Sequence, residues 1–504
     1  MKTIDWFKKD TVFFLIILVI VFLVYFGTDL SVYDFRFNDG SSYLCSFFDY
    51  ELFHFGRKDI IACTYDHQPF YFLFLKLVRN LTNNNLELMR WAHQIVWFLI
   101  GLYIYNISKK MGHGKILSAL VSIATLSSPI LLEQTLQFRM YTFYLLFFLI
   151  LFDRRFFSRW QGKVTRLWAV ISYMTFIFIL LPLVFWHLSD VVKSGKKQFI
   201  KILKENYILI TLVLLKVTYV IYHRVGRRPW PGDFWYSSFD SWRNFQEWFY
   251  CFLGWRYLNV ESFFVWLGIF HTTILLLIIT KLYSTKNKSV RSIINLCLFS
   301  YAVIFILRFV FVVQEIEYRY IIYTTPLILI TSLEILKDKT RLYHILMGAF
   351  LISLNLTNYI ISPRFIYPLQ TTKNEISKMN QFIQQENPPY FYTFHEYRDV
   401  NYHMSYLHMF WRKSVPFLEV KDHFYPLLLT GNQYFLVEQG FDDSEEKRLN
   451  KILEMTEAKA TKVFCIDLQY PKVCVHKVTG NKRFDHLTTD EIQKNLVPSK
   501  TYTK

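Results

Sequence analysis

Between residues 28 and 87 the chain carries Asp34, Asp39, Asp49, Glu51, Asp59 and Asp66, with Arg36, Lys58, Arg57, His54 and His67 among them. These charges interleave with Phe35, Phe37, Tyr43, Phe47, Phe48, Tyr50, Phe53 and Phe55, a pattern that predicts short helices lying along a membrane interface. Ionisable groups at membrane depth are expensive unless they serve a function, and a positioned carboxylate there can accept a proton from a reacting hydroxyl. A second concentration is cationic. It comprises Arg139, the group His223, Arg224, Arg227 and Arg228, and Arg319. A guanidinium captures phosphate oxygens in a bidentate fork, so these arginines can hold an anionic lipid headgroup or a lipid-linked phosphosugar.

The elements that must position these groups are hydrophobic helices. Of the 504 residues, 53% are hydrophobic and 19% aromatic, with a mean hydropathy of +0.21. Apolar runs of spanning length recur, which excludes a single soluble core. The formal net charge of +18 fits basic loops on one side of a membrane better than a nucleic-acid surface, because no basic tail or helix-turn-helix pattern accompanies it.

Runs at 11–27, 91–107, 116–132 and 140–152 read as the first four spans. Lys8 and Lys9 place the N-terminus in the cytoplasm, and Arg154, Arg155, Arg159, Lys163 and Arg166 return the chain there after four crossings. The run 167–188 is long enough for one helix. One crossing, however, would put Lys193, Lys196, Lys197, Lys201 and Lys204 outside, so two short helices breaking near 174–182 are expected. Further spans follow at 207–222, 263–280, 293–313, 321–335 and 345–361, with an external loop at 223–261 and cytoplasmic charges around Lys281, Lys337 and Arg341. The total is about eleven crossings. A ten-crossing alternative would place the C-terminal region in the cytoplasm.

From about residue 371 the composition becomes that of a soluble α/β module, with a helix at 374–385, strands at 390–394 and 434–438, a helix at 444–455 and a hairpin of 463–467 with 472–476. Cys465 and Cys474 face each other across that hairpin, and Cys45 and Cys63 share the first loop. Two local disulfides or separate thiols both fit. Asn-x-Ser/Thr sequons begin at Asn80, Asn106, Asn287 and Asn355, of which Asn80 is expected outside. No glycine-rich phosphate loop and no fixed-period repeat is present.

The order of these features resembles a known family. Asp66-His67-Gln68-Pro69-Phe70-Tyr71-Phe72-Leu73-Phe74-Leu75-Lys76-Leu77 resembles the His-Pro-Pro-Leu-Tyr-Tyr-Leu-Leu-Leu-Lys segment of GT-C glycosyltransferases, the protein-mannosyltransferase and aminoarabinose-transferase-like membrane enzymes, especially the bacterial Rgt-type group. Leu86-Glu87-Leu88-Met89-Arg90, Gln137-Phe138-Arg139-Met140-Tyr141 and Glu317-Tyr318-Arg319-Tyr320 resemble further segments of that family in the same order. The resemblance implies a multi-pass all-α membrane protein of GT-C fold with interfacial helices in the first external loop. It implies a catalytic transmembrane domain over 1–365 and an external α/β domain over 366–504. The implied activity is inverting transfer of a monosaccharide from a polyprenyl-phosphate donor to a glycan, lipid or protein hydroxyl, at the outer face of a bacterial inner membrane. Membrane lipids are the surrounding partner and nucleic acid is not one.

In that resemblance the general base falls on Asp39, within Asn38-Asp39-Gly40, although the acidic neighbour usual in the family is missing; Asp34, Asp49 and Asp66 are supporting acids. Donor phosphate and substrate binding fall on Lys58, His67, Arg139, Arg227, Arg228, Arg319 and Tyr320. The acid before Arg139 is replaced by Gln137 and Phe138, so a divalent metal has no ligand motif to support it and no cofactor is expected with certainty. The competing reading is a transporter or flippase, or a polymerase or ligase, of lipid-linked saccharides. A transporter would place charges at mid-membrane or show two related halves. Lys216 and Arg308 are the clear charges inside expected spans, and both lie toward the external ends.

Overall fold

A computed structural model gives the fold. It describes residues 9–26, 68–82, 86–136, 140–157, 163–224, 253–255, 262–284, 287–307, 318–337 and 339–366, and in the C-terminal part 381–382, 385–386, 391–393, 417–419, 433–440, 450, 454, 459–467 and 472–479. Two compact units are present, the helical one ending at Phe365.

The helical unit runs α1 (Lys9–Phe26), α2 (Pro69–Leu81), α3 (Leu86–Lys110), α4 (Lys115–Leu126), α5 (Pro129–Leu136) and α6 (Tyr141–Phe157). It continues with α7 (Lys163–Thr175), α8 (Leu180–Ser194), α9 (Lys196–Glu205), α10 (Tyr207–Arg224), α11 (Ser262–Tyr283), α12 (Lys288–Phe305), α13 (Thr324–Ser332) and α14 (Arg341–Ile366). Among the described residues four helices, 177–194, 265–283, 288–305 and 341–361, are long and apolar enough to cross a membrane, and α1, α4, α10 and 324–336 are shorter apolar pieces. The chain is a multi-pass helical membrane protein. Helix α6 is its centre, with every residue from Tyr141 to Leu149 buried. Helix α2 lies within the first loop and is amphipathic: Tyr71, Phe72 and Leu75 are buried, Leu73, Leu77 and Leu81 exposed.

Charge pairs align the helix ends. Lys110 at the end of α3 pairs with Asp153 of α6, and Arg155 of α6 holds Asp190 of α8 through both guanidinium nitrogens at 3.0 and 2.5 Å. His113, in the turn after α3, lies 3.4 Å from Glu334, whose other oxygen is 2.7 Å from Lys337. The C-terminal ends of α3, α6, α8 and the 324–336 segment therefore share one face of the bundle. The N-terminal ends of α6, α8 and α13 consequently lie toward the opposite end.

The Arg155 to Asp190 pair also explains the run 167–188. Helix α7 is 13 residues long, about 20 Å, too short for a hydrocarbon core of about 30 Å. Phe176 is extended (φ −155°, ψ 127°), a 3₁₀ turn covers Ile177–Ile179, and α8 brings the chain back to the charged face. The two-helix expectation holds.

Two expectations change. The run 116–132 is not one helix: α4 stops at Leu126, and Pro129, which has no N–H, begins α5. Three carbonyls at the break accept from side chains, as a membrane interior favours. Thr125 O accepts from the Ser128 N–H and hydroxyl, Leu126 O from Trp97 Nε1 at 3.0 Å, and Ala124 O from Asn358 Nδ2 at 3.0 Å. The segment 223–261 is not wholly an external loop, because α10 extends to Arg224 and Leu253 and Trp255 are buried in the bundle. Gly254 accepts from the Ile130 N–H at 3.1 Å, and Trp255 Nε1 donates to Asn358 Oδ1 at 2.7 Å. The lysine-rich stretch after α8 forms helix α9. Asn355 donates to Leu120 O within the bundle, and Asn287 caps α12 by accepting from Ser289 and Val290, so both sequons serve structural bonds.

In the C-terminal unit five strands, β1 (Phe391–Thr393), β2 (Phe417–Glu419), β3 (Gln433–Gly440), β4 (Lys459–Asp467) and β5 (Lys472–Thr479), form one sheet in the order β2-β1-β3-β5-β4. β1 is parallel to β2 and β3, and β5 is antiparallel to β3 and β4. Cys465 opposes Cys474 across the β4–β5 hairpin and the two are disulfide-bonded. Phe382 packs on Phe435 and Glu386 pairs with Lys477, which holds the preceding helical residues on the sheet. Residues 450 and 454 are helical within the expected 444–455 helix.

Candidate active site

The end of the bundle opposite the charge pairs gathers the segments that flank the arginines. Tyr320 stands in a 3₁₀ turn, Tyr318–Ile321, beside Arg319 and immediately before α13. Tyr141 opens α6, two residues after Arg139. Their rings stack at 5.9 Å, and both pack on Phe176, at 5.0 and 5.3 Å, in the extended break between α7 and α8. Phe178 closes the group, 4.7 Å from Tyr320. The break in the 167–188 run therefore does more than reverse the chain. It presents aromatic rings to the two segments that carry the sequence motifs.

Beneath this group lie polar side chains. Tyr144, one helical turn after Tyr141, packs on Phe176 at 5.0 Å and Tyr323 at 6.0 Å. The Tyr144 hydroxyl, the Thr142 hydroxyl and both amide atoms of Gln134 are buried and make no hydrogen bond among the described residues. Each such group costs free energy in an apolar interior, and an unsatisfied polar atom in a folded protein calls for an explanation beyond packing. By contrast Tyr323 is satisfied by Ser300 at 2.6 Å, and Tyr301 by Thr324 at 2.9 Å. Three of the residues with such groups, Gln134, Thr142 and Tyr144, lie on α5 and the first turn of α6, on either side of Arg139 in the sequence, and others such as Thr272 lie elsewhere in the bundle.

A neighbouring anchor fixes α2. The Tyr71 hydroxyl meets His93 Nε2 at 2.8 Å, and Phe143 of α6 packs against both rings. Pro69 pre-sets the first turn of α2, and Gln68 at its N-cap is buried with Nε2 unpaired. The residue before it is His67.

Among the residues expected at the site, Tyr320 is placed in the aromatic group. Arg319 has its backbone in the same turn, its side chain outside the described residues. Asp34, Asp39, Asp49, Lys58, Asp66, His67, Arg139, Arg227 and Arg228 lie outside the described residues, as do Cys45 and Cys63. Tyr141, Thr142, Tyr144, Phe176 and Gln134 were not expected there. Their signal in the sequence is a polar or aromatic residue at the same end of an apolar run as a motif arginine, and in a chain with 19% aromatic residues it has little contrast. No group of three or more His, Cys, Asp or Glu side chains able to hold a metal occurs among the described residues.

With this geometry in place, comparison with solved structures decides the fold. The chain matches the crystal structure of ArnT from Cupriavidus metallidurans in the apo state with a TM-score of 0.54, over 92% of this chain and 97% of that one, at 11% identity. The chain has the GT-C fold. The structure of the same ArnT bound to undecaprenyl phosphate matches with a TM-score of 0.53 at 12% identity, over the same shares of both chains. No protein-family model and no curated protein matches the sequence. At this level of identity the match speaks for the fold alone.

Proposed function

We propose that the protein is a membrane glycosyltransferase, moving one sugar from a polyprenyl-phosphate carrier to an acceptor hydroxyl at the end of the bundle opposite the charge pairs. The observation that carries this reading is the GT-C fold, shared end to end with a protein crystallised with undecaprenyl phosphate. The stacking of Tyr141 on Tyr320 supports it, because it joins the segments of Arg139 and Arg319 at one place.

In the proposed reaction the acceptor oxygen attacks the anomeric carbon from the face opposite the phosphate. Asp39 takes the hydroxyl proton as the new C–O bond forms. The bond from the anomeric carbon to the phosphate oxygen breaks and its electron pair leaves with the polyprenyl phosphate, so the configuration inverts. Charge grows on that phosphate in the transition state, and fixed cations aimed at it lower the barrier where water is excluded. Arg139, Arg227, Arg228 and Arg319, with Lys58 and His67, supply those cations. The half-buried Tyr320 ring offers an apolar platform for the sugar, backed by the buried Tyr141, and the polyprenyl tail stays in the bilayer throughout.

The test is transfer of radiolabelled sugar from a polyprenyl-phosphate donor in membranes containing the full chain. Replacing a general base typically costs about 10²–10⁴-fold in rate, so Asp39→Asn is expected to lose transfer by that factor while inserting normally. Arg319→Gln is expected to raise the donor KM. Wild-type rates from Asp39→Asn would remove Asp39 as the base, and no transfer from any lipid-linked donor would overturn the function.

A further inference from the structure

Helix α9 has a feature that the proposed reaction does not use. Its sequence KKQFIKILKE places Phe199, Ile200 and Leu203 on one side, and they are exposed at 49%, 45% and 41%. Val192, near the end of α8, is 85% exposed. The position of these side chains in the fold is set. Asp190 of α8 is held by Arg155 on the charged face, and α10 leaves for the opposite end directly after Asn206, so α9 lies at the boundary of the apolar slab. Apolar side chains left uncovered by protein at that level have acyl chains as their surroundings.

The cations around this face are unspent. Lys193, Lys201 and Lys204 are exposed, and none has an acidic partner among the described residues. Of the nearby acids, Asp190 is engaged with Arg155 and Asp153 with Lys110, and Glu205 at the C-terminal end of α9 is a single negative charge against the three lysines. An amphipathic helix with an apolar face in the acyl boundary and lysines free at headgroup level matches a negatively charged lipid surface.

We propose that α9 is a docking helix for anionic phospholipids, its lysines meeting headgroup phosphates while Phe199, Ile200 and Leu203 enter the acyl region. A lysine at an anionic surface gains roughly five-fold in affinity, so three of them give a clear preference over zwitterionic lipid. The occupant is lipid rather than an acidic protein because the apolar side chains sit at the bilayer boundary.

The full chain is reconstituted in vesicles of equimolar phosphatidylglycerol and phosphatidylcholine, released into mild detergent, and the retained lipids are counted by native mass spectrometry. Wild type is expected to keep phosphatidylglycerol preferentially. The Lys193→Gln, Lys201→Gln, Lys204→Gln triple variant is expected to lower that ratio on the order of 100-fold, and the corresponding Lys→Arg triple to retain it. A control triple, Lys163→Gln, Lys288→Gln, Lys339→Gln, removes equal charge from the same face and is expected to leave the ratio near wild type. Equal ratios in wild type and the α9 triple would overturn the proposal, as would an equal fall in the control, which would assign the preference to net charge. Sugar transfer is not part of the readout, so the result is independent of the proposed reaction.

Discussion

His113 shows how one side chain acquires a property that its sequence neighbourhood does not announce. It sits between Gly112, at φ +93°, and Gly114, in the turn that joins α3 to α4, and its ring is buried against Glu334, more than two hundred positions away. Burial pushes its pKa down to about 4, and Lys337 acts in the same direction. Glu334 does not reverse this, because its carboxylate is already neutralised by Lys337 at 2.7 Å while His113 remains at 3.4 Å. The imidazole is therefore neutral in the fold and must gain a proton on unfolding in mild acid. The unfolded chain binds more protons between about pH 6.5 and pH 4, so stability is full above 6.5 and falls as pH drops through that window. The size is up to about 3 kcal/mol. Thermal unfolding in detergent is expected to show a fall in Tm from pH 7 to pH 4.5 that is shallower in His113→Gln; parallel curves for the two proteins would remove His113 from the acid response.

At the scale of elements, the break between α4 and α5 is the part of the fold least legible in the sequence and most dependent on remote residues. Ser127-Ser128-Pro129 lies inside an apolar run, and prolines are tolerated in membrane helices when other groups satisfy the freed backbone, so hydropathy reads straight through it. The remote donors that satisfy the break are Trp97 and Asn358, neither of which belongs to a local motif. Asn358→Ala would remove the bond from Trp255 Nε1 and leave Ala124 O with only the Ser127 hydroxyl at 3.4 Å, a cost of about 1–3 kcal/mol for each bond lost in an apolar interior. The variant is expected to unfold several degrees below wild type in detergent. Gly254 offers an independent check, because a Cβ there would stand 2.8 Å from the Ser128 Cβ at a backbone φ of +70°. Gly254→Ala is expected to lower the Tm, and adding Ser128→Gly to recover the steric part of the loss but not the part due to φ. A Gly254→Ala protein as stable as wild type would show that segment 253–255 does not pack on the break. Since α5 leads directly into residues 137–139, both variants are also expected to raise the donor KM if the proposed reaction is right.

Across the whole molecule, hydropathy shows that the chain spans a membrane many times, but it does not tell a single crossing from a returning pair. Charge made that distinction at 167–188, since only a pair keeps Lys193 and its successors on the side of Arg154 and Arg155. The fold supplies the geometric counterpart in the two bonds between Arg155 and Asp190. The same pairs connect α3, α6, α8 and the 324–336 segment, so a model with one full crossing at 167–188 would have to break a bidentate ion pair as well as the charge rule. The aromatic group at the other end was less legible, because Phe176 contributes to it only through that break. Single-cysteine variants at Lys109, Lys163, Lys201 and Lys339 separate the two topologies. With a membrane-impermeant maleimide, all four are expected to stay unlabelled in intact cells, relative to wild-type background, and to label together once the membrane is permeabilised. Labelling of Lys201→Cys from the outside while Lys109→Cys stays protected would place α9 across the membrane from the end of α3. That outcome would overturn the returning pair, and with it the arrangement that brings Phe176 against Tyr141 and Tyr320.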